Sequence, residues 1–318
     1  MDTSNLLDGE RRIRVSDEVE IAYQTFGDPG DAPLLLVMGL GTQMLGWPED
    51  LCRDLAARGH YVIRYDNRDV GCSTHLDHLR APTIAQMRGL AMRRQEPPYT
   101  VDDLASDAVG LLDALSIDTA HLVGVSMGGF ISQVAAMTHP ERFRSLTLMM
   151  TSTGSRRVGQ PRPGVLWAMA RRPPVRNKEE AVAATLAAYA MIGSPGYPID
   201  ETYLRAKSEL AYDRSPDGGG YARQLAAVIA QTDRTAALRK IDLPCLVIHG
   251  LADPLVRSSG GLALARTIPG AKFVGYAGMG HDLPRALWPD VAVEIGALAA
   301  RADGRKTEPV AASVLTGS

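Results

Sequence analysis

The first pattern along the chain alternates apolar and polar residues. Ile13 and Val15 alternate with polar neighbours, and after a polar pair so do Val19, Ile21 and Tyr23. A period of two is typical of a strand with one face buried and the other exposed. The segment therefore predicts an antiparallel hairpin at the edge of a sheet.

Continuous apolar runs follow, and helical patterns separate them. The runs suit strands that are buried on both faces, and they cover residues 34–38, 61–65, 120–125 and 146–150. The intervening segments with apolar residues at helical spacing are 47–58, 101–115 and 130–137. Repeated strand–helix units predict an α/β protein with a mostly parallel sheet of about eight strands and helices on both faces.

The strand pattern is interrupted after residue 152. Residues 153–235 contain short helical patterns divided by proline and glycine, and no β-type run. The α/β pattern returns at 245–249 and 272–276 and ends with a helical pattern near 287–300. We therefore predict a first core part (1–152), a helical cap insertion (153–235), a second core part (236–302) and a flexible tail (303–318).

A turn of small residues joins the run 120–125 to the helical pattern after it. The turn reads Gly124-Val-Ser126-Met-Gly128. Between a strand and a helix, this spacing indicates a nucleophile elbow, in which a strained turn holds the serine hydroxyl above the sheet. The glycines are needed because a Cβ there would clash with the neighbouring strand and helix. On these residues alone, the alternative is an ordinary glycine-rich turn with an incidental serine.

A serine hydroxyl needs a base to take its proton, and the base needs a carboxylate to orient it. Asp253 follows the run that ends at His249, and His281 follows the run that ends at Tyr276. In a parallel sheet both positions lie at the carboxyl edge, together with Ser126. Of the seven histidines, His281 alone lies in a glycine-rich loop after a late strand. The predicted catalytic residues are therefore Ser126, Asp253 and His281.

Two backbone N–H groups are predicted to stabilise an oxyanion beside Ser126. One belongs to Met127, directly after the serine, and the other to Leu40, in the loop that follows the run 34–38. This loop reads Met38-Gly39-Leu40-Gly41, and its glycines let the backbone approach a substrate closely. After the next run, Asp66 and Arg68 are interpreted as charges that brace neighbouring loops.

Composition narrows the range of partners. Apolar residues make up 45% of the 318 residues and the net charge is −2, without a basic stripe. We therefore expect a small-molecule ester as partner, and neither nucleic acid nor a membrane. The oligomeric state stays open. The three cysteines have no metal-ligand spacing, the N-terminus has no signal-peptide pattern, and no apolar run approaches the roughly 18 residues of a membrane span. We expect a cytoplasmic protein without metal or cofactor.

These motifs together resemble the α/β-hydrolase fold superfamily over nearly the whole of residues 10–300. Within it, residues 34–39, 46–48 and 62–74 look like the aclacinomycin methylesterase group and similar bacterial esterases. The resemblance implies a helical cap over the active site, and the segment 153–235 fits that place. Met38 stands where many relatives have histidine, but the predicted donor in this loop is a backbone group.

The identity of the nucleophile indicates the reaction. Dehalogenases and epoxide hydrolases of the superfamily use aspartate, whereas this chain has Ser126. We therefore expect a serine esterase that cleaves a carboxylic ester of a moderately sized, mainly apolar molecule through an acyl-enzyme. The alternatives are a C–C bond hydrolase, a thioesterase or an amidase on the same triad, and a non-catalytic ligand-binding member of the fold.

The predicted cap leads to a test of substrate size. Its large side chains include Tyr189, Tyr197, Tyr203, Tyr212, Tyr221, Trp167, Met169 and Met191. Because a lid over the serine must present some of its inner face, we expect a mainly apolar pocket. The value of kcat/KM on p-nitrophenyl esters should be highest for short to medium acyl chains. A steady rise to the longest chains, with activation at a lipid interface, would contradict this prediction.

Overall fold

The computed structural model describes residues 7–165, 175–215 and 220–304. Its strands are β1 (Arg11–Arg14), β2 (Glu20–Phe26), β3 (Ala32–Val37), β4 (His60–Tyr65), β5 (Ala120–Val125), β6 (Phe143–Met149), β7 (Cys245–Gly250) and β8 (Lys272–Tyr276). In this described part they form one eight-stranded sheet in the order β1-β2-β4-β3-β5-β6-β7-β8. Strands β1 and β2 pair antiparallel, β2 is also antiparallel to β4, and the remaining pairs are parallel. The predicted α/β class with a mostly parallel sheet is confirmed.

The α-helices whose full ranges are described are α1 (Glu49–Ala57), α2 (Ile84–Ala91), α3 (Val101–Ala114), α4 (Met127–Thr138), α5 (Lys178–Ile192), α6 (Glu201–Arg214), α7 (Gly220–Ala230), α8 (Thr235–Leu238), α9 (Ser259–Thr267) and α10 (Trp288–Ala302). The hydrophobic pattern did not predict α2. Within this helix only Leu90 is buried and Ile84 is 74% exposed, so it lacks the apolar stripe by which a helix is recognised. No helix in these ranges is long and apolar enough to cross a membrane.

The central strands separate two apolar layers. Leu35 of β3 and Leu122 of β5 face a cluster that includes residues of α3 and α4. Leu34 and Val123, one position along the same strands, face a cluster that includes residues of α1 and α10. Because successive side chains of a strand point to opposite faces, the continuous apolar runs are explained by burial on both sides. The two layers hold the sheet between them. Because the central strands are parallel, their carboxyl ends meet at one edge of the sheet.

A helical segment lies between β6 and β7, and we call residues 153–235 the insert. Its described residues contain α5, α6 and α7 and no strand. Asn177 caps α5 by accepting the backbone N–H of Glu180 at 2.8 Å, and Gly193 follows the end of this helix, in keeping with the predicted division of the helical patterns by glycine. Residues 172–174, which include two prolines of the insert, lie outside the described residues, as do Trp167, Met169 and residues 305–318 of the predicted tail. The division into core, cap and tail stays a prediction.

A buried charge cluster joins the insert to the core. Arg214, at the end of α6, places Nη2 2.5 Å from Oε1 of Glu10 and 2.7 Å from Oδ2 of Asp66. Burial alone would lower the pKa of Arg214, but Asp66 and Glu10 together raise it, so the guanidinium stays charged. Asp66 also accepts the backbone N–H groups of Met44 and Cys72. Asp66 therefore braces two core loops and one helix of the insert.

Replacing the arginine tests the importance of this cluster for stability. Arg214→Met would leave Glu10 and Asp66 buried without a countercharge, and removing one partner of a buried pair costs about 3–5 kcal/mol. We expect a lower unfolding midpoint in urea, followed by tryptophan fluorescence. Lys178→Met is the control, because its ion pair with Asp213 lies on the surface and should change the midpoint little. Equal effects of the two variants would contradict the prediction.

Candidate functional site

Ser126 lies between β5 and α4 with φ 55° and ψ −116°. Its backbone N–H donates to the carbonyl of Met149 on β6 at 2.9 Å. A Cβ added at Gly124 would lie 2.3 Å from the carbonyl oxygen of Gly128, and one added at Gly128 would lie 2.2 Å from the carbonyl oxygen of Val37. The chain therefore has the strained elbow expected from its sequence, and the two glycines are required by the predicted close contacts.

His281 connects Ser126 to Asp253. Its Nε2 lies 3.0 Å from Oγ of Ser126 and its Nδ1 lies 2.7 Å from Oδ2 of Asp253. Oδ1 of Asp253 accepts the backbone N–H groups of Leu255 and Val256, each at 2.8 Å. Because Oδ2 faces Nδ1, the favoured tautomer carries its proton on Nδ1 and leaves Nε2 to accept the serine proton. The structure thus brings the three predicted residues together in one hydrogen-bonded chain, with His281 between Ser126 and Asp253.

A second histidine supports the aspartate, and sequence reasoning missed it. His249, on β7, is fully buried, with Nε2 2.7 Å from the carbonyl oxygen of Val256 and 3.7 Å from Oδ2 of Asp253. Burial lowers the pKa of His249, which favours the neutral ring. A neutral ring donates its Nε2 proton to the nearer carbonyl, so the contact with Asp253 is not an ion pair. His249 therefore braces the turn that orients Asp253.

The two predicted oxyanion donors flank Ser126. Met127 is the first residue of α4, and the first N–H groups of a helix have no partner within it. On the other side, a Cβ added at Gly39 would lie 3.3 Å from Cβ and 3.8 Å from Oγ of Ser126. The Gly39–Leu40 peptide is therefore adjacent to the serine hydroxyl. That these N–H groups stabilise an oxyanion stays a prediction.

The insert contacts the loop that carries His281. The backbone N–H of His281 donates to the carbonyl of Ile192 at 2.7 Å, and that of Gly280 donates to Oγ of Ser194 at 2.8 Å. The hydroxyl of Ser194 donates in turn to the carboxylate of Asp282. Burial raises the pKa of this carboxyl group. The C-terminal end of α5 and the residues directly after it therefore hold the histidine loop, a role for which the sequence carries no motif.

The cysteines do not compete with Ser126 as nucleophiles. Cys52, Cys72 and Cys245 are all buried thiols. Burial raises the pKa of Cys52 and of Cys245 to about 12, so neither forms a thiolate at neutral pH.

Within the described ranges, no group of three or more histidine, cysteine, aspartate or glutamate side chains is placed to hold a metal ion.

The sequence of this chain is similar to those of known proteins. Residues 32–284 match the α/β-hydrolase fold family. The chain belongs to this family. It is 32% identical over 305 residues to a rhodomycin D methylesterase of Streptomyces sp. strain C5, covering 89% of this chain and 96% of that protein. A rhodomycin D methylesterase of Streptomyces peucetius is 30% identical over 302 residues, with the same two coverages.

Solved structures agree with this assignment. The crystal structure of the enol-lactonase from Burkholderia xenovorans LB400 is 25% identical, with a TM-score of 0.68, and covers 90% of this α/β-hydrolase and 98% of that chain. The predicted family and the predicted resemblance to the methylesterase group are thus both confirmed. These similarities support the class of ester hydrolases for this α/β-hydrolase.

The hydrogen bonds of Asp253 predict the effect of an amide at that position. In Asp253→Asn the carbonyl oxygen would keep the N–H groups of Leu255 and Val256, so the NH₂ group would face His281. Nδ1 must then accept, and the ring proton moves to Nε2, which can no longer take the serine proton. We expect the labelling rate of Ser126 by an organophosphonate to fall by roughly 10⁴.

Asp233→Asn is the matched control for this substitution. Oδ1 of Asp233 also accepts a backbone N–H, that of Thr235, in a turn of the same kind. The control should therefore keep the wild-type labelling rate. A folded Asp253→Asn protein that reacts as fast as the wild type would show that Asp253 does not orient His281.

Proposed function

We propose that this α/β-hydrolase is a serine esterase that cleaves the carboxylic ester of a moderately sized, mainly apolar small molecule through an acyl-enzyme. The observation that carries the proposal is the hydrogen-bonded chain from Ser126 through His281 to Asp253. The similarity to two methylesterases supports ester hydrolysis as the class of reaction. Backbone N–H groups beside the hydroxyl add the electrostatic stabilisation that acyl transfer needs.

The positions of Ser126 and His281 define the acylation step. Oγ of Ser126 attacks the ester carbonyl while Nε2 of His281 takes the hydroxyl proton. The carboxylate of Asp253 stabilises the imidazolium that forms. The carbonyl oxygen becomes an oxyanion, which accepts hydrogen bonds from the N–H groups of Leu40 and Met127. When the tetrahedral intermediate collapses, the alkoxide leaving group takes the proton from His281 and departs as the alcohol.

Deacylation uses the same groups with water as the nucleophile. His281 takes a proton from water, the resulting hydroxide attacks the acyl carbonyl, and the two N–H groups again stabilise the oxyanion. The collapse of the second tetrahedral intermediate returns the proton to Oγ of Ser126 and releases the carboxylic acid. No external oxidant or reductant takes part, since the overall reaction is hydrolysis.

We propose a pocket with aromatic walls between the insert and Ser126. Tyr197 and Tyr203 pack against the apolar layer of α1 and α10, and Tyr203 meets Trp288 edge to face with ring centroids 5.9 Å apart. The ring of Tyr221 lies against Gly41, beside the loop that carries Leu40. We propose that the insert is a cap over Ser126 and that these aromatic surfaces favour an uncharged ester.

The relatives' names suggest the leaving group. Both proteins are called methylesterases, so we propose a methyl ester, or the ester of another small alcohol, as the natural substrate class. A net charge of −2 is in keeping with a small-molecule partner in place of nucleic acid or a membrane. The three buried thiols favour a reducing, cytoplasmic location.

Substitution of the serine tests the proposal directly. An organophosphonate should label one site on the wild type, and peptide mapping should place it at Ser126. Ser126→Ala should lower kcat on p-nitrophenyl acetate by roughly 10⁶ while the protein stays folded. Ser132→Ala is the control, because this fully buried hydroxyl lies on α4, which begins directly after Ser126, and should not affect labelling. Labelling at Ser73 or Ser132, or hydrolysis that survives in Ser126→Ala, would contradict the proposal.

A further inference from the structure

Leu40 lies in a tight turn, which we call the oxyanion turn and define as Gly39 to Thr42. The backbone N–H of Thr42 donates to the carbonyl of Gly39 at 3.3 Å, and its hydroxyl donates to the carbonyl of Leu40 at 3.2 Å. Gly41, the third residue, has φ +61°. A positive φ at this position is the mark of a type II turn, in which glycine is favoured.

The direction of the Leu40 N–H follows from the turn. In a trans peptide the C=O and the N–H of one unit point in opposite directions. Since the carbonyl of Gly39 accepts the N–H of Thr42 within the turn, the N–H of Leu40 points away from the turn. Gly39 lies against Ser126, so this outward N–H belongs to the peptide beside the nucleophile.

A turn of this type can lose its conformation by rotating its central peptide. Type I and type II turns differ mainly in the orientation of the peptide between their second and third residues. Here that unit joins Leu40 to Gly41, and its N–H is held by Gln224, whose Oε1 accepts it at 2.8 Å. Rotation of the central peptide would break this hydrogen bond, change ψ of Leu40 and shift the backbone of the turn relative to Ser126, and the Leu40 N–H would shift with it.

Gln224 is well placed to hold the turn. Its side chain is fully buried on α7, and Nε2 donates to the carbonyl of Arg68 at 2.8 Å. Arg68 is itself fixed, since Nε and Nη2 lie 2.5 and 2.6 Å from the carboxylate of Asp107 on α3. Both ends of the amide are therefore bound, one to the oxyanion turn and the other to a loop anchored on the core.

Helix α7 presents a rigid surface to the turn. Arg223 forms two hydrogen bonds with the carboxylate of Asp69, at 2.8 and 2.6 Å, which fasten the helix to the core. The ring of Tyr221 lies so close to Gly41 that an added Cβ there would be 2.4 Å from Cδ2. The oxyanion turn thus packs against the ring of Tyr221 and is hydrogen-bonded to the amide of Gln224. Both side chains belong to the anchored helix α7.

We propose that Gln224 is a positioning residue that locks the oxyanion turn with the Leu40 N–H directed for catalysis before substrate binds. The inference rests on the proposed esterase function, to which it adds a contribution from the insert. Gln224 acts on the reaction through the Gly41 peptide. Its loss therefore weakens stabilisation of the tetrahedral oxyanion more than binding of the ester itself.

Two substitutions separate this role from simple packing. Gln224→Met keeps the side-chain length without hydrogen bonds, and Gln224→Glu keeps an acceptor for the Gly41 N–H. We expect Gln224→Met to lower kcat by roughly 10- to 100-fold, less than the loss of a whole donor, with KM within about twofold of wild type. The inhibition constant of a trifluoromethyl ketone analogue should rise by the same factor as kcat/KM falls. Gln224→Glu should recover part of both losses.

Leu55→Ala is the control, because Leu55 is fully buried in the apolar layer of α1 and α10, so its truncation destabilises the core and leaves α7 and the amide of Gln224 in place. This control should lower the unfolding midpoint at least as much as Gln224→Met does, with kcat and analogue affinity changed less than threefold. The inference is overturned if both variants lose kcat in proportion to their stability, or if Gln224→Met changes only KM. A wild type that neither hydrolyses esters nor reacts with phosphonate overturns the proposed function as well, whereas an active wild type with an unaffected Gln224→Met overturns this inference alone.

Discussion

The backbone of Ser126 has φ 55° and ψ −116°, a conformation that costs a residue other than glycine on the order of 1–3 kcal/mol. Tertiary contacts maintain it. The serine N–H is held by β6, and α4 approaches β3 so closely that no Cβ fits at Gly128 next to Val37. This constraint lifts the hydroxyl above the carboxyl edge of the sheet. His281 and the oxyanion turn can take part in the proposed reaction only if they are correctly placed relative to that hydroxyl.

The core strands bring the loops of the site to one edge, but the insert holds two of them in place. Ile192, the last residue of α5, and Ser194, just after this helix, bind the backbone of the histidine loop. Gln224, on α7, binds the oxyanion turn. The insert therefore contributes to the geometry of the proposed chemistry. A substitution in its inner surface can alter reactivity without touching Ser126.

Buried charges determine where the insert sits on the core. Arg214 pairs with Glu10 and Asp66, and Arg223 pairs with Asp69. Buried pairs add little net stability compared with apolar residues, but an unpaired buried charge is strongly unfavourable. A displaced helix α6 or α7 would leave such charges unpaired. The pairs therefore favour one docking position of these helices, and with it one position of Gln224.

The sequence by itself determined the order of the strands and of the helices that pack against the sheet, the elbow around Ser126, and the loop positions of Asp253 and His281. These features follow from local patterns, because burial on both faces requires continuous apolar runs and a tight turn requires glycine. It did not predict α2, whose surface position leaves little apolar pattern. Nor did it predict the roles of Gln224 and Ser194, which lie 183 and 86 residues from their backbone partners. Such contacts carry no motif, since a polar side chain acquires its partner only when packing brings distant segments together.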